Sequence, residues 1–180
     1  RCKYFGIVLN IDIMNQVEVD RLWSYMKACK PLVTVHATPC TGLAGWKSLN
    51  AIVNPVGYQA SRQVSVPLAV LSGEIALHQL KSGRHFFSEH PQGTEMYQMH
   101  PWTVIANDPR LRWAIIHMCA AGLTDSKTKL LVKKPSEIWA SSETLIKPVR
   151  RFVCNGRHQH QRIAGGNRHE MRLWTWEFAS

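Results

Sequence analysis

The sequence has few acidic residues and no long hydrophobic run. It contains 12 Asp and Glu against 22 Lys and Arg in 180 residues, so its formal net charge is +10. This imbalance favours a polyanionic partner, DNA or RNA, although a basic protein without such a partner is the alternative. No apolar stretch approaches the ~18 residues that a membrane-spanning helix needs, so we predict no membrane partner.

Cysteines are also few and widely scattered. There are five of them, an odd number, which is too sparse for a disulfide scaffold and indicates reduced thiols in an intracellular protein. No signal peptide is visible, and the chain begins at Arg1 without an initiator Met, so we expect a processed chain or a fragment. Internal repeats and low-complexity segments are absent as well.

Apolar periodicity predicts alternating strands and helices. In the first third we expect a strand at 4–9, a helix at 17–29 capped by Asn15, a strand at 32–37 and a long loop at 41–66. A helix at 67–81 and a strand at 84–88 follow. Segments 101–107 and 111–118 fit helix or strand, and 130–132 and 137–140 read as short strands. A strand–helix–strand order predicts parallel strands with a right-handed crossover.

The stretch 33–42 is the most informative motif. A β-branched run ends at Pro39, which has no N–H to continue a strand ladder, and Cys40 follows directly. In open α/β sheets ligands bind at the carboxyl ends of the strands. The next predicted strand ends in Glu89-His90-Pro91, so a thiol nucleophile and a carboxylic acid would share one edge. The alternative is a buried structural Cys with a Glu that caps or pairs.

Two further groups of residues suggest binding sites. Cys154, His158 and His160, joined by Cys119 from an earlier element, would make a Cys2His2 zinc site, and the alternative is a solvated His-rich loop. Basic residues interleaved with aromatics would contact phosphates and stack on bases, unless they form only a solvated face. These predicted nucleic-acid contacts are Lys127, Lys129, Lys133, Lys134, Arg150, Arg151, Arg157 and Arg162, near Phe152, Trp174 and Trp176.

In this order the motifs resemble the cytosine-5 DNA methyltransferases, and most closely a divergent branch found in phage genomes and retroelement polyproteins. The matching segments are 38–41, 83–91, 119–123, 134–141 and 154–160. The resemblance implies an α/β fold, a Rossmann-like methyltransferase-type sheet with helices on both faces. Residues 1–165 would be this domain, truncated at its N-terminus, and 166–180 a small basic aromatic C-terminal extension.

The resemblance also implies a mechanism. Cys40 would attack C6 of a flipped cytosine, Glu89 would hold the ring nitrogen, and S-adenosylmethionine would supply the methyl group, with Asp12 at its adenine. The chain departs from the family at Thr38, where a first Pro is usual, and lacks both the Gln-x-Arg-x-Arg element and the Gly-rich cofactor strand. We therefore do not expect tight S-adenosylmethionine binding.

Two functional hypotheses remain open. The first is a DNA cytosine-5 methyltransferase-like nucleic-acid-binding domain, either active or with catalysis lost. The alternative is a non-enzymatic RNA-binding component of a ribonucleoprotein, built from a degenerate methyltransferase fold and bound to other proteins of a larger assembly. The Pro39-Cys40 and Glu89-His90-Pro91 pair supports the first, whereas the absent cofactor strand and the high charge support the second.

Overall fold

The computed structural model describes residues 12–45, 47–163 and 174–179. The helices are α1 (Gln16–Cys29), α2 (Lys47–Val53), α3 (Pro55–Lys81), α4 (Trp102–Ile105), α5 (Glu143–Ile146) and α6 (Trp176–Ala179). The strands are β1 (Val33–His36), β2 (His85–Pro91), β3 (Arg112–His117), β4 (Leu131–Val132), β5 (Pro135–Ala140) and β6 (His160–Gln161). Short 3₁₀ turns cover Met96–Gln98, Met118–Ala121 and Val149–Arg151.

A four-stranded mixed sheet of order β1-β2-β5-β3 forms the centre of the fold. β1 and β2 are parallel, and β5 is antiparallel to both β2 and β3, so β1, β2 and β3 all point the same way. β4 and β6 form a separate parallel pair. The coarse prediction of a mixed α/β fold is therefore confirmed.

The two faces of the sheet bury different apolar clusters, because side chains alternate along each strand. Phe86 and Trp139 face α3, α4 and the 96–98 turn, where Trp102 is fully buried. Ile138 and Ala140 face the opposite side, with the 118–121 and 149–151 turns, α5 and α6. Glu89 is opposite Ile138 in the β2–β5 register and therefore lies on this second face.

The prediction of α1 is confirmed, including its cap: the Asn15 side chain accepts a hydrogen bond from the Val17 N–H. β1 also matches the predicted strand. The two ambiguous segments resolve into α4 and β3. The predicted strand at 4–9 lies outside the described residues.

The predicted loop at 41–66 is wrong. It contains α2 and the first part of α3, which starts at Pro55, behind its cap Asn54, and continues through Pro67. Many apolar residues here, such as Ile52 and Val56, are exposed, so no buried stripe marks these turns. Pro67 removes one N–H from the helix, yet the helix continues because Ala69, Ala76 and Leu80 pack against the sheet beyond it.

One strand boundary also differs from the prediction. β2 was expected to end at Ser88, but it pairs with β5 through Pro91, so Glu89 lies inside the strand. No helix in the described part of the chain is long and apolar enough to cross a membrane.

Candidate functional site

The two motifs proposed for chemistry lie at the same edge of the sheet. β1 and β2 are adjacent and parallel, with His36 opposite Ser88, so the chain after β1 and the end of β2 leave the sheet together. Cys40 is partly buried and begins a tight turn, in which its carbonyl accepts hydrogen bonds from the Leu43 and Ala44 N–H groups. The Pro39 backbone lies near His90, whose pKa is lowered mainly by burial and is raised in the opposite direction by this neighbour.

Glu89 lies in a closed polar environment. It is only 5% exposed. The Lys134 ammonium lies 3.4 Å from its Oε1, and the Trp174 indole N–H donates to its Oε2 at 3.1 Å. On the same face Ser136 Oγ is buried and has no hydrogen-bond partner among the described residues. The Glu89 carboxylate can therefore accept hydrogen bonds from a planar group that carries N–H donors.

His90 points to the other face of the sheet. Burial is the main cause that lowers the pKa of His90 to about 4, so the imidazole is neutral at pH 7. Its ring packs edge-on against Tyr97, with centroids 6.4 Å apart, and Tyr97 stacks on Trp139. His90 therefore packs in the core on the α3 side of the sheet, whereas Glu89 lies on the α6 side.

The four predicted metal ligands converge. One ligand atom from each of Cys119, Cys154, His158 and His160 lies within 4.8 Å of all the others, so this Cys/His cluster can hold a metal ion. Cys154 Sγ is 3.7 Å from His158 Nε2 and 3.4 Å from His160 Nε2. Bond lengths of ~2.3 Å to sulfur and ~2.1 Å to nitrogen place such atoms about 3.6 Å apart in a tetrahedron.

Local hydrogen bonds hold the cluster in shape. Cys119 is buried in the 118–121 turn directly after β3. The Cys154 N–H donates to His117 Nδ1, and the Gly156 N–H donates to Cys154 Sγ, with Gly156 at φ 72° closing the turn. His160 belongs to β6, which pairs with β4. The ligands thus come from two short elements fixed to the end of β3.

Burial and neighbouring charges shift the pKa values of two groups in the cluster. Burial first, and then the adjacent Cys154, raise the pKa of the Cys119 thiol above its usual range. Partial burial, followed by His158 and Lys133, lowers the pKa of His160, which favours the neutral imidazole that binds metals. A divalent cation here would stabilise the thiolates.

The basic residues divide into exposed and paired groups. Asp125 Oδ1 accepts from the N–H groups of Lys127 and Thr128, which shapes a turn presenting exposed Lys127 and Lys129. The exposed cations around the cluster are Lys127, Lys129, Lys133, Arg157 and Arg162.

Three of the predicted contacts meet charged or aromatic side chains of the chain itself. Lys134 is directed inward at Glu89, Arg150 is ion-paired with Glu143, and the Arg151 guanidinium lies 4.9 Å from the ring centre of Phe152. Asp12 is exposed, and its carboxylate accepts from the Met14 N–H. Tail residues 164–173 lie outside the described part.

Sequence reasoning missed two members of the Glu89 environment. Lys134 was assigned to nucleic acid and Trp174 to base stacking, because neither spacing nor composition shows which charged or aromatic residues meet across a fold. The position of Lys134 directly before β5 was the available signal, since β5 neighbours β2. No protein-family model, curated protein or solved structure matches the chain.

Proposed function

We propose that this chain is a DNA cytosine-5 methyltransferase-like, nucleic-acid-binding domain. The observation that carries the proposal is the parallel pairing of β1 with β2, because Cys40 follows the end of β1 and Glu89 lies near the end of β2. β1 and β2 are parallel neighbours with α3 between them in the chain, and this strand–helix–strand unit is the one that a Rossmann-like sheet repeats.

The proposed chemistry begins at the base. The Cys40 sulfur would form a bond to C6 of an extruded cytosine, and the electron pair displaced from the C5–C6 double bond would move into the ring. One oxygen of Glu89 would accept a hydrogen bond from the exocyclic amino group, and the other, when protonated, would donate its O–H to ring nitrogen N3 and take up the charge that the attack delivers to the ring. S-adenosylmethionine is the methyl donor that the resemblance implies. Asp12, the predicted adenine contact, is exposed, and we assign no residue of this chain to the transfer of the methyl group.

A covalent trap tests this assignment. A duplex oligonucleotide with 2-pyrimidinone in place of one cytosine should form an adduct that survives denaturing electrophoresis, because the ring lacks the amino group that dampens attack at C6. Cys40→Ala should abolish the adduct, whereas Cys29→Ala, which removes the partly buried thiol at the end of α1, should not. Binding of the duplex without any adduct would favour the non-enzymatic hypothesis, which the closed environment of Glu89 also favours.

We also propose zinc as the ion of the Cys/His cluster. Two thiolates and two imidazoles are the donors that structural zinc prefers, and the sulfur–nitrogen distances fit a tetrahedral site. Arg157 lies within the loop that carries three of the ligands, and Lys133 lies close enough to His160 to lower its pKa. The metal would therefore order the part of the surface that carries the exposed cations.

Nucleic-acid binding at this surface should weaken steeply with salt. Each duplex phosphate neutralised contributes a log–log slope of about −0.9, so Lys133→Ala with Arg157→Ala should flatten the slope by about 1.8 if both touch phosphates. The matched control is Lys27→Ala with Lys30→Ala, which removes two exposed charges at the end of α1. Filter binding to a duplex across a salt series measures both slopes. Equal slopes in the two double variants would remove this surface from the interface.

A further inference from the structure

The carboxylate of Glu89 lies beneath residues 174–179. The Trp174 indole N–H donates to Oε2 at 3.1 Å, and little of Glu89 reaches solvent. Glu89 Oε1 is buried without a well-formed hydrogen bond, although Lys134 lies 3.4 Å away, and Ser136 Oγ is buried without a partner in the described ranges. Buried polar atoms are nearly always satisfied in folded proteins, so these two atoms mark a site that can take a further donor or acceptor.

An aromatic anchor holds this segment in place. Phe178 is buried, and its ring centre lies 6.3 Å from that of Phe87 and 6.1 Å from that of Phe152. Trp174 packs edge-on against Phe178 at 5.1 Å. Glu177 lies beside Gly122, at the end of the turn that carries Cys119. The anchor is therefore apolar, and the part of the segment that meets Glu89 is a planar ring with one N–H donor.

We propose that residues 174–179 are an internal occupant of a ligand site at the Glu89 carboxylate. The indole N–H takes the hydrogen-bonding position at the carboxylate that an N–H-bearing planar heterocycle would need, so such a ligand enters only when Trp174 leaves. Hydrogen bonds to a carboxylate are stronger than those between neutral groups, so an incoming ring has to replace a strong contact. The identity of the heterocycle, a pyrimidine base, rests on the proposed function, whereas the occupancy by Trp174 does not.

Hydrogen exchange of the indole N–H tests the occupancy without any ligand. In protein labelled with ¹⁵N-tryptophan, the indole N–H signal of Trp174 is the one that is missing from the spectrum of Trp174→Phe. It should exchange at least about 100-fold more slowly than that of Trp113, which is 60% exposed on β3. Exchange of Trp174 as fast as that of Trp113 would overturn the inference.

Binding of free cytidine tests the competition. If Trp174 is displaced in only a fraction of the molecules, the apparent affinity for cytidine falls in proportion to that fraction. Trp174→Ala should therefore tighten cytidine binding about tenfold or more. Trp174→Phe keeps the aromatic ring but loses the N–H donor, so it should give a smaller gain and guards against a folding defect. Trp113→Ala is the control and should leave the affinity unchanged.

The outcomes separate this inference from the proposed function. Unchanged or weaker cytidine binding by folded Trp174→Phe and Trp174→Ala, in a protein that does bind cytidine, would overturn it. Slow indole exchange with no cytidine binding by any variant would support the internal occupant and contradict the assignment of Glu89 to a base. Tighter binding in both Trp174 variants would support the two together.

Discussion

Cys154→Ala is expected to abolish stoichiometric zinc binding and to lower the melting temperature by about 8–16 °C. Zinc present at about 1,000 times its dissociation constant stabilises the folded state by about 4 kcal/mol. In a chain of this size each kcal/mol corresponds to about 2–4 °C. Cys154 contacts both histidines of the cluster and accepts the Gly156 N–H, so its loss leaves too few ligands for a closed site.

Metal analysis by mass spectrometry and thermal unfolding with and without a chelator measure this effect. Cys29→Ala is the matched control, since Cys29 is a partly buried thiol outside the cluster and should leave one zinc per chain. The chelator should lower the melting temperature of the wild-type chain to that of Cys154→Ala and leave the variant unchanged. A full zinc equivalent retained by Cys154→Ala would rule out the Cys2His2 site.

Lys134→Ala is expected to destabilise the fold by about 3–5 kcal/mol, because it leaves the Glu89 carboxylate buried without its counter-charge. Both side chains of this pair are largely buried, at 13% and 6% exposure. Combining Lys134→Met with Glu89→Gln should recover most of the loss, since no charge then remains to be compensated. Glu89→Gln keeps a side-chain oxygen that accepts the Trp174 N–H. Urea unfolding of zinc-loaded protein gives the free energies.

The exposed ion pair on α1 is the control for this experiment. Arg21 is 73% exposed and lies 2.8 Å from Glu18, so Arg21→Ala should change the free energy of unfolding by less than about 0.5 kcal/mol. If Lys134→Ala costs no more than Arg21→Ala, the buried pair is not formed in solution. If the double variant is as unstable as Lys134→Ala, the unpaired carboxylate does not cause the loss, because no charge then remains and the Met side chain fills the space of the lysine stem.

Local signals in the sequence were sufficient where a residue acts on its own neighbours. Asn15 caps α1 through its own side chain, and β-branched residues with Pro39 delimit β1. Such signals failed where tertiary packing overrides them. The turns of α2 and early α3 expose their apolar residues, so no buried stripe marks them in the sequence. Pro67 lies inside α3, which continues because residues before and after it are buried. The end of β2 was misplaced for the same reason, since its pairing with β5 carries it to Pro91.

Residue types within seven residues singled out Cys154, His158 and His160 as candidate ligands, and the family-like recurrence of the pattern added weight to the hypothesis that joined Cys119 to them; their convergence comes from the tertiary structure. The strand–helix–strand pattern predicts that Cys40 and Glu89 lie near one edge, and of this prediction the structure confirms the parallel pairing of β1 with β2. Which groups surround Glu89 was settled by packing. The ammonium of Lys134 and the indole of Trp174 reach it from distant points of the chain, and only side-chain burial and sheet register bring them together.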